Sequence, residues 1–361
     1  MTLKSPFPYF GGKRKVASDV WKRFGNVRNY VEPFFGSGAM LLGRPLPFDG
    51  VETVNDADGL LANFWRALQS EPDRVAEYAD WPVNENDLHA RHAWLVGVKD
   101  SLQAKLEGDP DYYDCKVAGW WVWGMACWIG SGFCSGKGPW QVVDVDGERQ
   151  LVHVGDAGRG VNRKRVHVGN AGQGVNRQLV HVGDAGQGVN RQLVHVGNAG
   201  QGVNRKRDNH GDALRDYFAD LAERLRNVRV CCGDWSRVMG ESPTIKHGTT
   251  AVFLDPPYAD TANRNETLYR VDCTQVAHAV REWAIEHGDD KRYRIALCGY
   301  DGEHVMPDSW TVSDGKAGMG HGFGGQSKDG YANAGRERIW YSPHCVRVDG
   351  ARELFPTEAV A

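Results

Sequence analysis

The stretch VFLDPPYAD, residues 252–260, decides how the rest of the chain is read. Three apolar residues of strand type run directly into an acid, two prolines and a tyrosine. Neither Pro256 nor Pro257 has a backbone N–H to donate, so a sheet ladder stops there. The strand therefore delivers Asp255 and Tyr258 at its carboxyl end, on a stiff mount. In an open α/β sheet that end is where ligands bind.

Working outward, strand-like runs alternate with helical periods. Val27–Glu32, Val51–Asn55, Val228–Cys232, Ala251–Leu254, Arg294–Cys298 and Arg338–Tyr341 have strand composition. Leu60–Ala79, Asp87–Leu106, the Trp-rich Cys115–Trp128, Asp212–Arg226 and Thr274–His287 have helical character. Such alternation argues for a mainly parallel, doubly wound α/β sheet. Residues from about 60 to 210 interrupt it and read as an insertion.

A second candidate site is YVEPFFGSGAM, residues 30–40. The strand ends at Glu32, and Gly36 and Gly38 then allow a tight turn beneath a ligand. A dinucleotide fingerprint needs a small residue at its last position, where this chain has Leu41. Asp56 lies just past the next strand, where an acid hydrogen-bonds a ribose hydroxyl. The loop thus suits a nucleoside-type cofactor with no pyrophosphate to cradle.

Inside the insertion a fourteen-residue unit recurs four times: VHVGDAGRGVNRKR (152–165), VHVGNAGQGVNRQL (166–179), VHVGDAGQGVNRQL (180–193) and VHVGNAGQGVNRKR (194–207). A short Val-rich segment followed by Gly and Asp or Asn is strand-then-turn chemistry, so a small β-rich segment is expected. Between Glu148 and Arg207 ten Lys or Arg face three acids, a local charge of +7 in a chain of net charge −3. The remainder therefore carries −10. A basic segment on an acidic body is a candidate nucleic-acid footprint. Its cations Arg163, Lys164, Arg165, Arg177, Arg191, Arg205, Lys206 and Arg207 recur beside the repeat turns and are candidate phosphate contacts.

Composition excludes other classes. No apolar run reaches the roughly 18–20 residues of a membrane helix, and the N-terminus lacks the apolar core of a signal peptide. Eight cysteines show no CxxC spacing. They suit reduced thiols in a cytoplasmic protein with no metal site.

With both sites identified, the chain resembles the DNA adenine-N6 methyltransferases of the Dam-like, α arrangement, which order their parts as cofactor loop, recognition region and DPPY. FFGSG (34–38) precedes the insertion and DPPY (255–258) comes after it. PYFGGKRKV (8–16) is similar to the family's opening motif, CCGDW (231–235) to the motif whose acid meets the cofactor adenine, and IALCGYD (295–301) and RERIWYS (336–342) to late core strands. Cys298–Gly299 departs from the serine or asparagine expected near that strand end.

The resemblance implies a Rossmann-like methyltransferase fold whose catalytic domain is 1–59 and 211–361. The helical target-recognition insert would be 60–147 and the repeat insert 148–210. It implies S-adenosyl-L-methionine as cofactor, met by Tyr9, Lys13, Phe34, Gly36, Gly38, Asp56 and Asp234, and double-stranded DNA as partner. A monomer is expected. The target amine would meet Asp255 and the Pro256 carbonyl, Pro257 would stiffen the mount, and Tyr258 would stack on a flipped adenine. N4-cytosine methylation is the rival chemistry, and a non-catalytic DNA-binding scaffold the rival class.

Overall fold

The computed structural model describes residues 3–9, 13–128, 133–134, 140–145, 148–153, 203–257, 276–315, 336–348 and 352–353. Its strands are β1 (Asn29–Glu32), β2 (Val51–Asp56), β3 (Trp140–Val145), β4 (Glu148–His153), β5 (Val228–Cys232), β6 (Thr250–Leu254), β7 (Tyr293–Tyr300), β8 (Thr311–Asp314), β9 (Glu337–Tyr341) and β10 (Arg352–Glu353). Its helices are α1 (Arg14–Phe24), α2 (Ala39–Leu42), α3 (Gly59–Ser70), α4 (Pro72–Ala79), α5 (Glu85–Gly108), α6 (Cys115–Cys127), α7 (Val203–Leu225) and α8 (Val276–Gly288).

Eight strands form one sheet in the order β10-β8-β9-β7-β6-β1-β2-β5. From β5 through β7 all neighbours run parallel, and β9, β8 and β10 add an antiparallel edge. This is the doubly wound, Rossmann-like arrangement expected from the alternation. The chain leaves β1 toward β2 and β5 on one side, then returns to lay β6 and β7 on the other. The topological switch therefore falls between β1 and β6, and a crevice opens there at the strands' carboxyl ends.

Side-chain alternation splits the sheet between two cores. Tyr30, Ala251, Phe253, Ala296 and Cys298 point into one, together with α1, α3, α6 and α7. Val31, Val252, Leu254, Ile295 and Leu297 point into the other, with α8. Period two along each strand is what places residues 32, 255 and 298 on one face.

The expected helix 60–79 is two helices. Pro72 removes a backbone donor and starts α4 at its first turn. Helix α3 also lies on the sheet: Arg66 Nε donates to the Val230 carbonyl at 2.9 Å and Gln69 Nε2 to that of Val228 at 2.8 Å. It shares a continuous core with α5 and α6, so the insertion has no separate core of its own. The Trp-rich α6 surrounds a cation. Arg91 lies 4.9, 4.9 and 4.4 Å from the ring centres of Trp81, Trp120 and Trp123, an arrangement that favours guanidinium over ammonium.

Strands β3 and β4 pair as an antiparallel hairpin, and β4 ends on the first two residues of the first repeat. Residues 154–202, which hold most of the repeats, lie outside the described residues. Helix α7 begins at Val203, so the last five residues of the fourth repeat are helical where strand-and-turn structure was expected. Gly202 is the unit's last glycine. Beyond it the sequence has no strong breaker until Gly211, and the helical period of 212–226 extends backward.

Two histidines are buried without full hydrogen bonding. His92 is 0% exposed, and neither ring nitrogen has a partner among the described residues. It stacks on Trp128 at 4.8 Å, and burial pulls its pKa down to about 4. Burial likewise pulls His304 down to about 4. Each folded-state value lies below the unfolded one, so the unfolded chain takes up the protons first. The associated stability is present above about pH 6.5 and is lost as pH falls toward about 4. The melting temperature should therefore drop over that window, and His92→Phe should flatten the drop in thermal scans at stepped pH.

Candidate active site

The loop after β1 is held from three directions. Gly36 and Gly38 have φ of +48° and +67°, the left-handed region that L side chains avoid. A Cβ on Gly36 would stand 2.7 Å from Tyr9 Cε1, so the Tyr9 ring lies directly against the loop backbone. Gly36 N–H donates to Asp56 Oδ2 at 2.9 Å, and Trp65 Nε1 of α3 donates to the Gly36 carbonyl at 3.1 Å. The other Asp56 oxygen accepts from Asp58 N–H at 2.9 Å, and Asp58 in turn caps α3. Asn55 Nδ2 reaches the carbonyls of Pro33 and Gly233 at 3.2 and 3.0 Å. The ends of β1, β2 and β5 are thus tied into one rim.

Phe34 and Trp235 stack at 6.3 Å and 25° on that rim. Asp234 beside them is exposed and accepts from Ser236 N–H at 2.9 Å. It caps the 3-10 turn Trp235–Val238, and its carboxylate is engaged within its own turn.

Across the crevice, Asp255 comes directly after β6. Lys13, the residue before α1, places its Nζ 3.1 Å from Asp255 Oδ1 and 3.7 Å from Glu337 Oε2. Lys13 is only 6% exposed, whereas the Asp255 side chain keeps 21% of its surface toward the crevice. Register sets Leu254 of β6 opposite Leu297 of β7, which brings Cys298 alongside Asp255, where its thiol helps to lower the carboxyl pKa. Burial pushes the Asp255 pKa up, while the Lys13 charge and the hydrogen bonds from Lys13 and Cys298 pull it partly back. Burial raises the Cys298 thiol well above its usual range, so at neutral pH it is a donor and not a nucleophile.

One strand over, Glu32 is 3% exposed and accepts from the Tyr30 hydroxyl at 2.8 Å. Burial raises its pKa well above the ordinary carboxyl value, and the nearby Asp255 charge raises it further. Four carboxylates thus stand near the carboxyl ends of the strands, Asp255 partly exposed, Asp56 at the glycine loop, and Glu32 and Glu337 buried, with Lys13 between Asp255 and Glu337.

Several expected site residues come together. Lys13 joins Asp255, Tyr9 covers Gly36, and Gly36 joins Asp56. Phe34 flanks the same rim, and Pro256 and Pro257 end β6 as expected. Asp234 stands apart at its turn. Tyr258 and Arg163, Lys164, Arg165, Arg177 and Arg191 lie outside the described residues. Arg205, Lys206 and Arg207 fall in the first turns of α7.

Glu32, Trp235 and Glu337 were not singled out in the sequence. An acid in the buried run YVEP was a readable signal for Glu32. Nothing local marks Glu337, which reaches the site only because β9 is antiparallel to β7, with Glu337 opposite Tyr300. Among the described residues no group of three or more His, Cys, Asp or Glu is placed to hold a metal ion, and no helix is long and apolar enough to cross a membrane.

Residues 9–93 match the family model described as D12 class N6 adenine-specific DNA methyltransferase. The matched stretch carries Tyr9, Lys13, the FFGSG loop and Asp56, and ends within α5. Over that stretch, about a quarter of its length, the chain is similar to the adenine-specific DNA methyltransferases, and its Rossmann-like fold is consistent with that enzyme class. No curated protein matches the chain.

Gly36→Ala tests the loop. The positive φ and the contact with Tyr9 should destabilise the fold by more than about 1 kcal/mol in denaturant titrations.

Proposed function

We propose that the protein methylates the exocyclic N6 amine of adenine in double-stranded DNA, using S-adenosyl-L-methionine, after flipping the base out of the helix. The observation that carries this reading is the crevice-facing Asp255, paired to the buried Lys13 and directly across the switch point from the glycine loop.

The residues fit that cofactor. Positive-φ glycines leave the loop backbone bare, Asp56 stands at the next strand end where a ribose binds, and a carboxylate-rich crevice suits a cation. Tyr9, Phe34, Gly36, Gly38 and Asp56 would hold it, with Asp234 at the outer rim and Lys13 on the inner side. When bound, it supplies an electrophilic methyl group on a sulfonium.

The chain's own groups supply positioning. In a duplex the adenine amine is paired and stacked, so the base must leave the helix to react. Tyr258 offers a stacking face worth about 1–3 kcal/mol. The amine's lone pair is delocalised into the purine. Asp255 and the Pro256 carbonyl, accepting its two hydrogens, favour a pyramidal nitrogen whose lone pair can attack. Transfer of the methyl that the bound cofactor would supply would leave a neutral thioether and a cationic methylated amine, whose surplus proton Asp255 would accept and pass to water, so no strong base is needed. Most of the acceleration then comes from orientation and preorganised electrostatics. The repeat cations hold the duplex by its phosphates.

Digesting DNA to nucleosides after transfer of a labelled methyl tests the reading. Label in N6-methyladenine supports it, label in N4-methylcytosine moves the target base, and no label from cofactor-competent protein sinks it. Asp255→Ala should keep the thermal stabilisation by S-adenosylmethionine and lose at least about 100-fold in turnover. Because ionised Asp255 is the acceptor and its pKa is raised by burial, the rate should fall on the acid side at a pH above the usual carboxylate range. Deleting residues 166–193 removes Arg177 and Arg191. It should weaken duplex binding and flatten its log–log salt slope by about 2; unchanged affinity would remove the repeats from DNA contact.

A further inference from the structure

We infer that Glu337 is a positioning residue: it shares the Lys13 ammonium with Asp255 and so keeps the Asp255 carboxylate available to accept from the substrate amine. The functional part rests on the proposal that the amine docks at Asp255.

The geometry is that of one cation serving two carboxylates. Lys13 Nζ reaches Asp255 at 3.1 Å and Glu337 at 3.7 Å, and an ammonium has three N–H donors to distribute. Lys13 and Glu337 lie inside, at 6% and 11% side-chain exposure, while Asp255 faces the crevice at 21%. The ion pair and the catalytic acceptor therefore use the same carboxylate. An undivided ammonium would hold Asp255 as a tight charge-assisted pair and weaken it as an acceptor for a neutral amine. Glu337 draws part of that charge away and adds a negative charge of its own nearby. Both effects make Asp255 a better acceptor.

Glu337 is well placed to hold this position. It opens β9 opposite Tyr300, and its carbonyl accepts from Gly315 N–H at 2.8 Å. A Cβ at Gly315 would come within 2.8 Å of Glu337 Cβ, so the two backbones are in close contact. The next residue, Arg338, is anchored to Asp301 at 3.2 Å. Among the described residues, titratable groups near the pair include Glu32 from β1, the Cys298 thiol from β7, and Tyr300, whose phenol senses the charges of Glu337 and Lys13. Arg336 lies 5.1 Å over the Tyr300 ring and adds a positive charge beside that phenol.

The test is a carboxyl carbon-13 NMR titration of the full-length protein labelled at aspartate, with D255N assigning the Asp255 resonance. Glu337→Gln should move the Asp255 midpoint to lower pH. Glu337→Asp, which keeps the charge but lengthens the reach to Lys13, should move it down by less. A midpoint that stays in place or rises in Glu337→Gln overturns the inference. If Glu337→Gln does not fold, Glu337→Asp carries the test, and an upward move of its midpoint overturns the inference. In methyl transfer, Glu337→Gln should lower kcat by roughly tenfold with the KM for DNA within about twofold, and shift the acid limb downward. Loss of rate in step with loss of melting temperature, with no shift of that limb, would mark a structural role and overturn it. The titration needs neither cofactor nor DNA, so its outcome is independent of whether adenine is the methylated base.

Discussion

One buried ammonium organises the carboxyl edge of the sheet. Lys13 has left water almost completely, and the carboxylates of Asp255 and Glu337 offset the cost of burying its charge. Removing one partner from such a cluster leaves uncompensated charge in a low dielectric, which is far more costly than losing a surface pair. Three separate parts of the chain are therefore bound to one another: the segment before α1, the end of β6 and the start of β9. Asp255 is held by that cluster from below and by two prolines along the chain, which leaves its exposed side aimed into the crevice.

The opposite wall of the crevice is built on hydrogen bonds between side chains and backbone. Asp56 ties the glycine loop after β1 to the start of α3, and Asn55 ties the ends of β1 and β5 together. Trp65 reaches in from α3 to hold Gly36, so the helical layer that supports the insertion also supports the loop. Helices α3, α5 and α6 share one core with the sheet, so the insertion's helices and the glycine loop rest on continuous packing.

Charge is divided along the chain in a way that suits DNA. The crevice edge is acidic, and the repeats carry the positive excess. A duplex drawn to the basic segment would present its backbone there, while only a base removed from the helix would meet the acidic crevice. On the proposed function, an acidic interior would disfavour phosphate and accept an amine, so phosphate attraction and amine recognition would fall to different parts of the molecule.

How much of this was legible in the sequence varied with the range of the interaction. Period-two alternation and two prolines marked β6 and the point where it stops, and Gly36 with Asp56 marked the cofactor side, because each signal lies within a few residues. The break at Pro72 and the backward extension of α7 to Val203 were harder to read. A helical period running through 60–79 hides where a missing donor starts a new helix, and without a strong breaker between Gly202 and Gly211 a helix runs back past its strongest periodicity. Lys13 and Asp255 were each recognisable from their motifs, but not as an ion pair, since 242 positions separate them. Glu337 was invisible for the same reason: only the antiparallel return of β9 beside β7 brings it to Lys13. The sequence by itself determined which strands end in chemistry and which residue types stand there. The tertiary structure alone decided which charges meet, because buried electrostatics act through space across strands distant in sequence.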